Sequence, residues 1–308
     1  MEGTNIKYEL LNHSHLKSLC ETHRSIFRST VSTDFFRVKY GLDAQNVTIY
    51  SFVAIEDDQV VGFIGGIEQS YSRNEDQIRI VQTGDYMLLA KFRGTGLFDE
   101  LYKYLLERCK VFKIDVLMAF NSMQTYKVGK RWEWVDIRDF SRFHVPVASK
   151  YRAKLIKLLH LTKLRERRFL NVIEPFLISM DDGFIFSGNK YCCEYNEDLI
   201  KMKSNYNKVC LRIENCVMII KYAHVLTVAY LQLNDQSDLK KACIVLRKIA
   251  LSTGFSDCIF HVDSSSLEAE QLRSLFDEKE SFKLSGNKLN HSIEISKVQF
   301  NLFEMDII

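Results

Sequence analysis

The segment Leu88-Leu89-Ala90-Lys91-Phe92-Arg93-Gly94-Thr95-Gly96-Leu97-Phe98 sets two glycines, one residue apart, between a run of strand character and a run of helix character. Upstream, residues 78–89 read as a strand. Downstream, Leu97, Leu101, Tyr104, Leu105 and Arg108 keep helical spacing to about Phe112. Glycine lets a backbone approach a ligand closely, and a helix start offers unpaired N–H groups at the positive end of its dipole. A strand-to-helix junction of this kind suits a pyrophosphate; the same residues also read as a plain turn. It is neither a Walker loop, since no Gly-Lys-Ser/Thr follows, nor a G-x-G-x-x-G, since Asp99 stands where the third glycine belongs.

Working outward, Ile6 to Leu11 reads as a strand, Leu16, Leu19, Ile26 and Phe27 as a loose helical face, and Asp34 to Tyr40 as a second helix. Tyr50 to Ile55 and Val60 to Ile67 are strand-like runs joined by Glu56-Asp57-Asp58-Gln59, a hairpin by composition. Past the glycines come an apolar strand from Ile114 to Phe120, a short helix or turn from Asn121 to Val128, and a strand pair from Trp134 to Val147. Lys150 to Arg168 carries eight basic residues and one acid around Leu155, Ile156, Leu158, Leu159 and Leu161, a basic amphipathic helix. It reads as a connecting helix with solvated cations, or as a patch for an anionic substrate or membrane surface. After Pro175 three strand runs (209–213, 217–222, 225–233), a helix (238–252), a buried strand (258–262), a helix (267–276) and closing strands at 293–295 and 300–303 repeat the earlier order, which implies a structural duplication.

The length of 308 residues fits two domains, and 46% hydrophobic with 26% charged residues is ordinary for a folded soluble chain. A net charge of +3 is too small to argue for nucleic acid, so any basic site must be local. The eight cysteines form no C-x-x-C and no Cys/His cluster, so no metal is expected. With no signal-like N-terminus and no long apolar window, the expectation is a cytoplasmic chain without a transmembrane segment, its thiols reduced core residues. His144, His224 and His261 have no partner visible in sequence.

The quoted segment resembles motif A of the GNAT superfamily of acyl-CoA N-acetyltransferases, R/Q-x-x-G-x-G/A, with Arg93 and Gly96 in place and Phe98 where the last small residue belongs. Val60 to Gly66 resembles the family's cofactor-side hairpin strand, and Leu117-Met118-Ala119-Phe120-Asn121 its fifth strand ending in Asn; the likeness spans residues 5–145. The resemblance implies that the fourth and fifth strands splay apart around acetyl-CoA. Backbone groups at Leu88, Leu89 and Ala90 would pair with the pantetheine, and the amides of Arg93, Gly94, Thr95, Gly96, Leu97 and Phe98 would hold the pyrophosphate. Asn121 reads as a cofactor contact or a helix cap. An amine nucleophile needs a base. Asp85 is the first candidate, or else a bulge residue beside Gly84, and Glu68 is the second. Tyr126 is the candidate acid toward the thiolate, or else a packing residue.

The resulting expectation is an α+β chain of two GNAT-like domains, each a mixed, mostly antiparallel sheet flanked by helices. Residues 1–149 form the cofactor-binding domain, 150–175 a basic connecting helix, and 176–308 a degenerate copy whose acidic turn, Asn234-Asp235-Gln236-Ser237-Asp238, would repel a pyrophosphate. The function implied is acetyl transfer from acetyl-CoA to a small amine, by direct attack in a ternary complex. An amino sugar is the analogue suggested by tandem arrangements, an anionic acceptor would suit the basic helix, and tRNA-dependent peptidyl transfer is the less favoured relative. The alternative is a non-catalytic acyl-CoA-binding or interaction module that keeps the fold.

Overall fold

A computed structural model describes residues 6–44, 47–147, 155–156, 158–159, 161–179, 190–194, 199, 202, 207–223, 225–233 and 236–300. The chain is α+β and folds as two compact units built from interleaved stretches. Unit 1 comprises Met1–Ile137, Gly188–Asn205 and Leu284–Gln299; unit 2 comprises Arg138–Ser187, Tyr206–Lys283 and Phe300–Ile308. The sequence places single cuts at 149 and 175, whereas two of the dividing points fall inside strands, where no glycine, proline or polar linker marks them.

In unit 1, β1 (Lys7–Leu10), β2 (Phe52–Glu56), β3 (Gln59–Arg73), β4 (Asp76–Leu88) and β5 (Val116–Asn121) lie side by side in that order. All are antiparallel except β4 and β5, which run parallel and pair only at Ile80–Gln82 with Val116–Met118. The β2–β3 turn puts Asp57 and Asp58 at φ +47° and +62°, the two left-handed residues that a tight hairpin requires. Helices α1 (Leu16–Phe27) and α2 (Thr33–Lys39) precede the hairpin; α3 (Leu97–Val111) links β4 to β5, and α4 (Met123–Arg131) follows β5. Leu97, Leu101, Leu105 and Cys109 recur on one face of α3 and are buried with Phe52, Ile64, Val81 and Leu117 of the strands.

Between Phe63 and Gly65 of β3, β4 carries one extra residue: Phe63 faces Met87 and Gly65 faces Gly84. Asp85 takes this bulge at φ +49°. The bulge lies just past the last parallel pair, so from there β4 continues to Leu88 without β5 as a partner among the described residues.

In unit 2 the order is β6 (Val135–Val145), β11 (Cys258–Asp263), β10 (Leu226–Gln232), β9 (Cys216–Tyr222) and β8 (Lys208–Ile213). Its helices are α5 (Thr162–Ile173), α6 (Gln236–Thr253) between β10 and β11, and α7 (Leu267–Arg273) after β11. Again one pair is parallel over three residues, Leu226–Val228 with Cys258–Phe260, and again the middle strand bulges directly after it, between Val228 and Tyr230. The succession of three antiparallel strands, helix, parallel strand, helix and strand thus occurs twice.

Where a strand pair is expected from Trp134 to Val147, there is one long strand, β6 (Val135–Val145). Among the described residues the last strand is β12 (Glu278–Lys288): the strand expected at 293–295 is absent there, Ile295–Lys297 being a single 3-10 turn, and of the strand expected at 300–303 residues 301–303 lie outside the described residues. The sequence Glu-Lys-Glu-Ser-Phe-Lys-Leu-Ser-Gly-Asn-Lys has too few apolar residues to announce a strand, and its pairing with neighbours determines it. β7 (Cys192–Cys193), which pairs with Tyr71 and Ser72 of β3, is equally silent in sequence.

Candidate active site

After Leu88 the chain makes a short 3-10 turn over Ala90–Phe92, in which Phe92 is buried, and Arg93 is extended. Gly94 and Gly96 then adopt φ +81° and +84°, where L-residues are strained, and Gly96 leads directly into α3. A Cβ built on either glycine would meet nothing within 4 Å, so the turn is open on that side and backbone conformation alone requires glycine there. The amides of Arg93 and Thr95 bond to the carbonyls of Ala90 (3.2 Å) and Phe92 (3.4 Å). Those of Gly94, Gly96 and Phe98 have no acceptor among the described residues. Three unbonded backbone donors thus lie at the positive end of a four-turn helix, a place that favours an anion. Leu97 seats the helix start on β3, where Gly62 leaves it room: a Cβ there would lie 2.9 Å from Leu97 Cδ2.

Phe98 stands where a small residue is expected, and an aromatic cluster accommodates it. Its ring packs edge-on to Tyr86 of β4 (5.4 Å) and stacks on Trp132 (5.6 Å), which in turn stacks on Tyr102 (3.9 Å). A cleft of about 670 Å³ is lined by Phe98, by Tyr86 to Leu88 at the end of β4 that pairs with β3 but not with β5, and by Arg93, Gly94 and Gly96. The end of α1 (Ile26, Phe27) and the Thr125, Val128, Arg131 face of α4 form its walls. Burial pushes the Tyr86 phenol above the usual tyrosine range, and its hydroxyl is hydrogen-bonded to Thr83, which also donates to the carbonyl of Met118 (3.2 Å) as the two strands part.

Asn121, expected as a cofactor contact, ends β5, is 3% exposed and does not line the cleft. Its amide nitrogen donates to the carbonyl of Ala119 (3.0 Å) and to Ser285 Oγ (2.7 Å), while its buried Oδ1 has no partner among the described residues. Ser122, not Asn121, caps α4, accepting from the amide of Thr125 (3.4 Å). Ser285 belongs to the Leu284–Lys288 end of β12, which flanks β5; Asn287 there donates to Tyr102 (3.4 Å).

The three expected acid–base residues are not assembled in the cleft. The Asp85 carboxylate pairs with the Lys39 ammonium (2.8 Å) and accepts from the Tyr40 hydroxyl (2.7 Å), both side chains of the ion pair being almost wholly buried. Tyr40 reaches it by passing over Gly65, where a Cβ would lie 2.7 Å from Cε1 of the ring. Glu68 accepts from Arg79 (2.6 Å), whose guanidinium also donates to the Phe112 carbonyl (2.5 Å). Tyr126 donates to Asp136 at the surface (2.9 Å). None of the three lines the cleft. Asp99, the carboxylate that does, is tied to the Trp132 indole (2.8 Å) and Arg131 (3.4 Å).

Residues 16–129 match the family model described as "Acetyltransferase (GNAT) family". This stretch is a GNAT acetyltransferase domain. The fold of the chain agrees. It is similar to a GCN5-related N-acetyltransferase from Kribbella flavida (10% identity, 93% of this chain and 72% of that one, TM-score 0.57). A conserved protein of unknown function from Enterococcus faecalis V583, described as a probable N-acyltransferase, gives 8%, 93%, 73% and 0.60. A putative acetyltransferase from Pyrococcus horikoshii gives 14%, 97%, 95% and 0.54. No curated protein matches the sequence.

Of the residues expected to hold the cofactor, Leu88, Arg93, Gly94, Gly96 and Phe98 line the cleft, while Leu89, Ala90, Thr95, Leu97 and Asn121 do not. Tyr86, the end of α1 and Arg131 were not anticipated. The spacing of Thr125, Val128 and Arg131, three residues apart on one helix face, is the signal that marks α4's contribution. Outside the domain, His144 pairs with Asp257 (2.6 Å) and His261 with Ser281 (2.6 Å), and His224 lies outside the described residues. The Cys109, Cys216 and Cys243 thiols are pushed up to about 12, chiefly by burial, as expected of core residues. Among the described residues no helix is long and apolar enough to cross a membrane.

Proposed function

We propose that the GNAT domain binds acetyl-CoA and transfers its acetyl group to a small amine, with an amino sugar the acceptor class to try first. The observation that carries this is the trio of amides at Gly94, Gly96 and Phe98, unbonded among the described residues, beside a cleft that continues along the end of β4 that β5 does not pair. These donors would hold the pyrophosphate, with Arg93 and Arg131 supplying positive charge at the cleft wall. Backbone groups of Leu88, which lines the cleft, would pair with a pantetheine amide, whereas the Leu89 N–H already donates to the Val61 carbonyl (2.9 Å) and its carbonyl accepts from Phe92 (3.0 Å). The bound thioester supplies an activated acyl group. The chain's part is to hold it beside the bulge, screen it from water, and offer β4 N–H groups to a developing oxyanion. Asp85, already neutralised by Lys39, acts as a fixed counter-ion that holds the bulge, and an amine delivered neutral or deprotonated through water suits the cleft better than direct transfer to a side chain.

Unit 2 is read as a second GNAT-like domain that does not bind CoA. Its strand-to-helix junction has no glycine turn, and Asp238 in the first turn of α6 is buried and accepts from Asn215 (2.6 Å). Asn234 and Asp235 of the acidic turn lie outside the described residues.

A second reading, a non-catalytic acyl-CoA-binding module, is favoured by the engagement of Asp85, Glu68 and Tyr126 away from the cleft. Two measurements separate the readings. Acetyl-CoA at about a hundred times its dissociation constant stabilises the native state by about 2.7 kcal/mol, a readable shift in thermal midpoint; no shift at millimolar cofactor would remove both. Release of the CoA thiol with a panel of amines and amino sugars supports transfer, and binding without release supports the module.

A further inference from the structure

Unit 2 carries a surface that the acyl-transfer reading leaves unused. Residues 150–168 read Lys-Tyr-Arg-Ala-Lys-Leu-Ile-Lys-Leu-Leu-His-Leu-Thr-Lys-Leu-Arg-Glu-Arg-Arg, with eight cations and a single acid, Glu166. In the described part of this segment the leucines face solvent: Leu158 is 74% exposed, Leu164 61%, and Leu155 and Leu159 54% each. Leu155, Leu158 and Leu159 recur at i, i+3 and i+4, and the amide of Leu159 bonds to the carbonyl of Leu155, so they share one side of a helical turn. Leu161, Leu164 and Arg168 recur at i, i+3 and i+7 across the start of α5.

The inward stripe of α5 is a different one. Arg165, Phe169 and Ile173, four apart, are buried; the Arg165 guanidinium bonds to the Ala223 carbonyl and lies over the Phe255 ring at 4.6 Å. That stripe anchors the helix in unit 2, so α5 does not need its leucines for its own packing. A connecting helix with solvated cations accounts for the charge but not for four leucines clustered within ten residues and each more than half exposed, since apolar side chains grouped on one surface, unlike single ones, mark an interaction site. Lys163, Arg167 and Arg168 are exposed beside the leucines. Leucine interleaved with lysine and arginine on one surface complements a layer that is apolar beneath and anionic above.

We infer that the segment around Leu155 to Arg168 docks on the surface of an anionic lipid bilayer, with its leucines in the headgroup boundary and its cations against lipid phosphates. Neither contribution suffices alone: a few leucines give weak partitioning, and cations alone give adsorption that salt abolishes.

The test uses the full chain in co-sedimentation with phosphatidylcholine vesicles and with vesicles containing about 30% phosphatidylglycerol, at about 0.1 M and 0.5 M salt. The expected result is binding to the anionic vesicles at least tenfold tighter than to the neutral ones. A Leu158→Gln, Leu159→Gln, Leu164→Gln variant should lose about tenfold or more at low salt with its thermal midpoint unchanged, since the three side chains are exposed. A Lys163→Gln, Arg167→Gln, Arg168→Gln variant should lose a similar factor and provides the readout should the leucine variant not fold. No binding to anionic vesicles, or binding untouched by the leucine variant, overturns the inference. So does sedimentation showing that the leucines hold two copies of the chain together without any vesicle binding. Acetyl-CoA binding by the wild type, measured alongside, is independent of either outcome.

Discussion

At the scale of single residues, two backbone positions hold the cleft. Gly96 sits at φ +84° with open space around it, so valine there meets no neighbour but pays left-handed strain of about 1–2 kcal/mol and projects a branched side chain beside the free amides. Gly96→Val is expected to fold with a slightly lower thermal midpoint and to lose acetyl-CoA affinity at least tenfold by titration calorimetry; retained affinity would reduce the turn to a connector. At the bulge, removing one partner of the buried Lys39–Asp85 pair strands the other charge. Lys39→Met is expected to cost about 3–5 kcal/mol in denaturant unfolding, and the double variant with Asp85→Asn less than the single. In unit 2, burial first and then Arg142 hold His261 down to about 4. A histidine depressed when folded takes up protons more readily when unfolded. Stability should therefore be unaffected above the ordinary value near 6.5 and fall by up to about 3 kcal/mol as pH drops from there to about 4. Denaturation midpoints across that window should flatten in His261→Gln. Glu278, held down to about 2 by Arg273 and Ser141, acts in a lower window and is distinguishable from it.

At the scale of elements, the strand that matters most is the least conspicuous. The Leu284–Lys288 end of β12 places Ser285 against Asn121 and Asn287 against Tyr102, so a segment more than 160 positions away in sequence fixes the end of β5 and the middle of α3. Ser285→Ala is expected to weaken acetyl-CoA binding while leaving the fold intact, and Ser285→Thr to restore part of it, read as dissociation constants. The approach depends on Gly286: a Cβ there would run into the Leu117 carbonyl oxygen and lie 3.0 Å from Met118 Cα, both backbone and unable to yield. Gly286→Ala should cost about 3 kcal/mol or more and loosen β5, visible as faster amide exchange at Val116–Asn121.

For the whole molecule, the interleaved connectivity of unit 1 makes a prediction that a simple division of the chain would not. Residues 1–149 contain the entire glycine turn, yet lack Gly188–Asn205 and Leu284–Gln299 of their own unit. A truncated chain of that length should fail to unfold cooperatively, and a cooperative melt with acetyl-CoA stabilisation would show those segments to be dispensable. What the sequence by itself determined is local: the Asp57-Asp58 hairpin turn, the helical face of α3, the left-handed glycines of the turn, and the duplicated succession of elements, because each follows from propensity and spacing over a few residues. The tertiary structure alone decided which charges meet. Asp85 looks like a free carboxylate until α2 brings Lys39 and Tyr40 to it, and a strand as polar as β12 exists only because backbone partners on neighbouring strands satisfy it. Such pairings join residues tens to hundreds of positions apart, and no local pattern encodes a partner at that distance.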